Sequence, residues 1–109
     1  MQTVAELPEY IRTADKLLSP KERQDLIRYL AMHPKAGDLM EGTGGVRKLR
    51  WRRGDHGKSG GVRVIYYYYD SFQSFYLLTI YAKNEMSDLT ADQKHQLKTF
   101  VEVWRNEQA

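Results

Sequence analysis

Positive charge is concentrated in one short segment of this sequence, "GGVRKLRWRRGDHGKSGGVRVIYYYYD", residues 44–70. That segment carries a formal charge of +6 between positions 47 and 63, in a chain whose net charge is +3, so the remainder sums to −3. Lysine and arginine bind phosphate groups through charge-assisted hydrogen bonds, and a local cluster of them favours a polyanionic ligand. The basic residues are Arg47, Lys48, Arg50, Arg52, Arg53, Lys58 and Arg63, and Asp55 is the acidic residue among them.

The period of a β-strand predicts which of these cations meet. Side chains alternate between the two faces of a strand, so Lys48 and Arg50 share a face and Arg63 shares one with Ile65 on the next strand. Lys83 follows a third predicted strand. It is in phase there with Tyr81, Thr79, Leu77 and Phe75. In a three-stranded meander, Lys48 or Arg50 would converge with Arg63 and Lys83 on one side of the sheet.

The other reactive residue types point less clearly to a site. The chain has no cysteine and three histidines, His33, His56 and His95, with no partner at metal-ligand spacing. His56 beside Asp55 is a candidate general base, although a loop histidine is more often simply solvated. Three further features have structural interpretations: the Gly42, Gly44 and Gly45 cluster as a turn, Glu85 and Asp88 as caps of the last helix, and the tyrosines at 66–69 mainly as packing residues.

Helix signals precede and follow the basic segment. Pro8 suits the first turn of a helix that runs to about Leu17. "SPKE" predicts a second helix with Ser19 as N-cap and Glu22 completing a capping box, and this helix ends at His33–Pro34. Thr90 is expected to cap a last helix, because Gln93 follows three residues later.

Strand signals lie between these helices. Residues 46–51, 62–69 and 75–81 read as strands, the last apolar on both faces and therefore central, and residues 2–6 as a short edge strand. The whole chain, 1–109, is expected to form a single α+β domain: an N-terminal helix pair, a small antiparallel sheet and a C-terminal helix.

The composition and the N-terminal sequence indicate in which cellular compartment the protein is expected. Hydrophobic residues make up 41% and charged residues 28% of the chain, a globular balance. The start, "MQTVAELPEY", does not resemble a signal peptide, and "FYLLTIYA" is too short to span a bilayer. With no cysteine, the sequence is compatible with a reducing cytoplasm, and we expect a cytoplasmic protein without a membrane partner.

Four stretches together resemble the RelE superfamily of toxins, and most closely the HigB-like branch of type II toxin–antitoxin systems. The stretches span residues 42–107: "GTGGVRKLRW", "GKSGGVRVIYYYY", "FYLLTIYAKNEMSDLT" and "WRNEQ". The resemblance implies a small curved antiparallel sheet with two helices on one side. It also implies a metal-independent and cofactor-free endoribonuclease that cuts mRNA in the A site of the 30S ribosomal subunit, and a helix-turn-helix antitoxin as partner.

The resemblance also assigns roles to residues. Arg63 would bind and stabilise the scissile phosphate, Lys83 would share that role or act as an acid, and Arg50 and Lys58 would flank the site. Glu85 is a lesser candidate. Surrounding contacts to nucleic acid would come from Arg47, Lys48, Arg52, Arg53, His56, Trp51 and Tyr81.

The sequence also departs from the family pattern. The tyrosine that stacks on the substrate base in family members is replaced here by Leu89–Thr90, and Tyr81 or Trp51 would have to substitute. The acid and the base stay open. Two other functions also remain open: a ParE-like toxin that acts on DNA gyrase without cleaving RNA, and a basic nucleic-acid-binding domain without catalysis.

Overall fold

The computed structural model describes residues 3–52, 61–86 and 88–108 of the chain. Three helices and a five-stranded sheet form an α+β fold, which confirms the predicted class. The helices are α1 (Pro8–Leu17), α2 (Pro20–Met32) and α3 (Ala91–Gln108). The strands are β1 (Thr3–Glu6), β2 (Asp38–Leu39), β3 (Val46–Trp51), β4 (Val62–Tyr69) and β5 (Ser74–Ala82).

Short-range chemistry sets the helix starts. The Ser19 hydroxyl accepts a hydrogen bond from the Glu22 amide at 3.1 Å, and the Glu22 carboxylate accepts one from the Ser19 amide at 2.8 Å. Thr90 and Gln93 form the equivalent pair of bonds before α3, at 3.1 and 2.8 Å. These reciprocal bonds satisfy backbone donors that a helix start otherwise leaves open. The predicted starts of α2 and α3 are therefore confirmed.

The sheet is mixed, whereas the sequence predicted an antiparallel one. Its strand order is β1-β5-β4-β3-β2, and β1 pairs with β5 in parallel. The predicted meander of β3, β4 and β5 is present as two antiparallel ladders. The chain can place β1 parallel to β5 because both helices of the N-terminal pair lie between β1 and the meander in sequence, and a parallel pairing needs such a long crossover.

A bulge in β5 changes which of its residues share a face. Ile65 of β4 pairs with Thr79, but the next residue, Tyr66, pairs with Leu77, so Leu78 is an extra residue. A bulge of this kind shifts the alternation of side chains by one position. The prediction that Leu77 and Phe75 lie in phase with Thr79 and Tyr81 is therefore wrong, because both pack with Tyr66 on the opposite face.

The helices cover the two faces of the sheet. Buried side chains of α1 and α2 pack on one face, where Leu26, Leu30 and Tyr66 belong to a common cluster. Val101 of α3 packs on the other face with Ile65 and other residues. The helix pair and α3 therefore lie on opposite sides, and this explains why β4 is apolar on both faces.

None of the described helices is both long enough and apolar enough to cross a membrane.

Candidate active site

Two arginines and a tyrosine form a row across the middle three strands. Arg50 of β3 pairs with Arg63 of β4, and Arg63 pairs with Tyr81 of β5. Paired residues on adjacent strands point to the same face, with Cβ atoms about 5 Å apart. The Arg50–Arg63 pairing therefore concentrates positive charge on this face.

The row lies on the α3 side of the sheet and near its end. Arg63 shares this face with Ile65, two residues along β4, and Ile65 belongs to the cluster that packs against α3. β3 ends at Trp51 and β4 begins at Val62 at the same end of the sheet. The predicted convergence of Arg50 and Arg63 on one face agrees with this register.

Arg63 is almost completely shielded from water. Its exposed fraction is 8%, and its Nη1 lies 3.4 Å from the carbonyl oxygen of Val62. A cation in such surroundings interacts with a neighbouring charge several times more strongly than it would in water. Arg50, in contrast, is exposed. The pair thus combines an exposed cation, able to meet an incoming polyanion, with a shielded one beside it.

A second row places a lysine next to the arginines. Lys48 pairs with Ile65, and Ile65 with Thr79, so Lys48 lies on the same face as Arg50 and one row further along the sheet. The Lys48 ammonium lies 3.6 Å from Oδ1 of Asp88. Three cations are therefore placed on this face by the strand register alone.

Asp88 joins the sheet to α3 at this site. Its Oδ1 accepts a hydrogen bond from the Leu89 amide at 2.8 Å, and its Oδ2 lies 3.6 Å from the ammonium of Lys94 in α3. The bond from Leu89, opposed by partial burial and helped by the charges of Lys48 and Lys94, holds the pKa of Asp88 below its usual value. The carboxylate is therefore ionised at neutral pH.

Tyr81 completes the first row with a buried hydroxyl. Its Oη has no hydrogen-bond partner among the residues that the structure describes. Burial raises the pKa of Tyr81, the Asp88 carboxylate raises it further, and the Arg63 guanidinium lowers it. The phenol is consequently protonated at neutral pH and retains a hydrogen that it can donate.

Lys83 takes the position after the end of β5. Its amide donates to the carbonyl of Gly61 at 3.1 Å, which extends the β4–β5 ladder by one bond, and its side chain is exposed. Glu85 lies in the following turn, where its amide donates to the carbonyl of Ala82 at 3.0 Å. The ladder thus brings Lys83 to the same end of the sheet as Arg63.

Several predicted contact residues lie elsewhere. Arg47 is on the opposite face, where its Nη1 donates to the carbonyl oxygens of Gly37 at 2.7 Å and Lys35 at 3.2 Å. Trp51 also lies on that face and packs against Tyr29, with ring centroids 5.3 Å apart. Arg52 is exposed beyond β3 and belongs to neither row, and Arg53, His56 and Lys58 lie outside the described residues.

Two residues of this face were not predicted as part of a site. Asp88 was expected to cap the last helix, but that position belongs to Thr90, and Lys94 was not singled out. The signal in the sequence is weak, because an acidic residue before a helix is common for electrostatic reasons alone. In the part of the chain that the structure describes, no group of three or more His, Asp or Glu side chains is arranged to hold a metal ion.

Solved structures share this fold. A double mutant of the E. coli toxin RelE in the free state superposes with a TM-score of 0.55 and 17% identity over 78% of this chain and 86% of that chain. The intact E. coli RelBE toxin–antitoxin complex contains a chain that matches with a TM-score of 0.53 and 17% identity, over 72% of this chain and 92% of that one. The architecture is therefore that of the RelE fold.

The sequence itself matches a protein family over residues 22–109, and the family is described as the RelE toxin of the RelE / RelB toxin–antitoxin system. This match covers most of the chain, from α2 to the end of α3. The protein belongs to the RelE toxin family.

Proposed function

We propose that this protein is a ribosome-dependent mRNA endoribonuclease of the HigB-like branch, and that it inhibits translation as the toxin of a type II toxin–antitoxin pair. The observation that carries the proposal is the row formed by Arg50, Arg63 and Tyr81, with Lys48 in the adjacent row. Together the two rows offer three positive charges and a phenol on one sheet face. Such a face fits a phosphodiester whose negative charge increases during reaction.

The proposed chemistry is a transesterification within the RNA strand. The ribose 2′-hydroxyl loses its proton and its oxygen attacks the adjacent phosphorus, giving a five-coordinate phosphorane. The bond from phosphorus to the 5′-oxygen then breaks, and that oxygen takes up a proton. The products are a 2′,3′-cyclic phosphate and a 5′-hydroxyl end, and the reaction needs no metal or cofactor to balance.

The two arginines of the row and the lysines at 58 and 83 have places in this scheme. Arg63 stabilises the phosphorane, and its low exposure strengthens that interaction. Arg50 guides the phosphate onto the face from the solvent side. Lys83 supplies charge or a proton to the leaving 5′-oxygen, and Lys58 acts from the segment that connects β3 to β4. Arg47 and Trp51 support the fold from the other face, because their contacts there are structural.

Membership of the RelE toxin family supports two proposed partners. The message is presented by the ribosomal A site, which holds the codon in the geometry that in-line attack requires. A cognate antitoxin with a helix-turn-helix domain neutralises the toxin, consistent with the toxin–antitoxin complex known for E. coli RelBE. Both proposed partners are cytoplasmic, and we expect the protein to act there.

Primer extension on a reporter mRNA, after brief induction of the wild type and of Arg63→Ala, tests the proposal. We expect cuts inside translated codons for the wild type, with 5′-hydroxyl ends, and none for the variant. An intact message with arrested growth would instead indicate a toxin acting on DNA gyrase, and a DNA-damage response would accompany it. An intact message with normal growth would indicate a nucleic-acid-binding domain without catalysis.

A second experiment tests the dependence on the ribosome. Purified protein is incubated with the same RNA, naked or bound to programmed ribosomes, in one Mg²⁺-containing buffer that keeps the ribosomes intact. Cleavage is expected only on the ribosome. Efficient cutting of naked RNA under these conditions would contradict the proposed requirement for positioning.

A further inference from the structure

The Asp88 carboxylate connects the three parts of the chain that build the active face. It lies in the connection between β5 and α3, while Lys48 belongs to β3 and Lys94 to α3. Its two oxygens are used separately, Oδ1 at 3.6 Å from the Lys48 ammonium and Oδ2 at 3.6 Å from the Lys94 ammonium. The Leu89 amide donates a hydrogen bond to Oδ1 of Asp88 at 2.8 Å, and this bond restricts the orientation of the carboxylate.

This arrangement differs from that of an ordinary surface ion pair. An exposed pair between two flexible side chains contributes little to stability; here the lysines are 32% and 35% exposed and Asp88 is 47% exposed, so the difference lies in how the carboxylate is held. The Leu89 bond restricts the carboxylate, so the two ammonium groups meet a fixed acceptor instead of a mobile one. Lys48 is thereby restricted to positions near the Arg50–Arg63 row.

We propose that Asp88 is a positioning residue: its carboxylate holds the Lys48 ammonium beside the arginine row, where the lysine contacts the RNA phosphate. The proposal rests on the endoribonuclease function proposed above. Asp88 does not touch the substrate in this scheme and acts through Lys48. A negative charge on a cationic face weakens the attraction of RNA, so its presence there needs a compensating benefit, and fixing the lysine provides one.

The proposal makes opposite predictions for binding and for turnover. Asp88→Asn removes a negative charge from the face, so RNA affinity should rise or stay equal. The Lys48 ammonium loses its charged anchor, and a displaced phosphate contact leaves the RNA less well positioned, which reduces the rate of the chemical step. We therefore expect kcat on programmed ribosomes to fall about tenfold or more while KM is unchanged or lower.

Matched variants separate this role from loss of charge or of folding. Asp92→Asn removes the same charge from the first turn of α3, where Asp92 is exposed and forms no ion pair with a described residue, and its kcat should equal that of the wild type. Asp88→Glu keeps the carboxylate and should recover part of the rate. Thermal unfolding of all three variants confirms that each is folded at the assay temperature.

A double-mutant cycle tests whether Asp88 acts through Lys48. If it does, adding Asp88→Asn to Lys48→Met should lower kcat by less than twofold beyond the single lysine variant. A full additional tenfold loss would overturn the proposal, as would an Asp88→Asn enzyme with wild-type kcat. Absence of cleavage by the wild type itself would reject the endoribonuclease function, which is a distinguishable result.

Discussion

Replacing Arg63 by alanine is the change with the largest expected effect on activity. Arg63 lies between Arg50 and Tyr81 in the sheet and is 8% exposed. Two unit charges about 4 Å apart interact with roughly 1 kcal/mol in water but about 4 kcal/mol at an effective dielectric constant near 20. The low exposure of Arg63 favours the larger figure.

The expected loss follows from that figure. Removing a single preorganised donor from a site that stabilises developing negative charge costs about 2.7–4 kcal/mol in other enzymes. At about 1.4 kcal/mol for each factor of ten, Arg63→Ala should lower kcat by about 10²- to 10³-fold. The kcat of Arg63→Lys should lie between those of Arg63→Ala and the wild type, because lysine keeps the charge but lacks the planar guanidinium fork.

The assay is single-turnover cleavage of a fluorescent mRNA on programmed ribosomes, with saturating toxin. Arg47→Ala is the comparison, because the Arg47 guanidinium bonds to the Gly37 carbonyl at 2.7 Å on the opposite face. It should lose stability while keeping most of its activity per folded molecule. Arg28→Ala removes an exposed arginine from α2 and should behave as the wild type.

The reasoning would be refuted by equal losses in Arg63→Ala and Arg47→Ala. That result would mean that the basic residues act only as a diffuse electrostatic patch. A loss of less than about threefold in Arg63→Ala would contradict the magnitude derived from its burial.

Three further expectations concern stability. Tyr66→Phe should lower the free energy of unfolding in urea by about 1–3 kcal/mol. The Tyr66 hydroxyl accepts from the Gly37 amide and donates to the Pro34 carbonyl, both at 2.9 Å, and both groups would lose this partner. Gly61→Ala should lower the melting temperature by several degrees and reduce cleavage. Gly61 has φ +66°, which favours glycine, and a Cβ there would lie 2.4 Å from the Trp51 carbonyl oxygen. An unchanged melting temperature would contradict this expectation. The folded-state pKa of Asp88 is depressed below its usual 3.8, so its stabilising contribution is present above that pH and is lost as the pH falls through the folded pKa. The difference in urea midpoint between wild type and Asp88→Asn should therefore shrink on acidification below pH 3.8, and a difference that grew there would contradict the sign.

Interactions within a few residues of each other were readable from the sequence. Ser19 and Glu22 form the capping box that "SPKE" predicts, since the bonding groups are three residues apart. The strands 46–51 and 62–69 have the predicted bounds, because β-branched and aromatic residues fill them. Alternation within β3 and β4 likewise placed Lys48, Arg50 and Arg63 on one face.

Interactions between distant segments were decided only by the tertiary structure. The extra residue Leu78 reverses the face of Leu77 relative to Thr79, because a bulge depends on how two strands pair and leaves no mark on the pattern of either strand. β1 and β2 are too short to show a strand period in the sequence, and their pairing depends on contacts with distant strands. A sheet that is apolar on both faces does not indicate which face α3 covers.

The same division applies to the candidate site. The sequence determined that cations would gather on one face, since period-2 alternation and local charge are properties of consecutive residues. The structure decided that Asp88 meets Lys48, a residue forty positions earlier, and that Arg47 and Trp51 belong to the opposite face. Charge composition is a local property of the sequence, but the pairing of charges across strands depends on which distant residues the tertiary fold brings into contact.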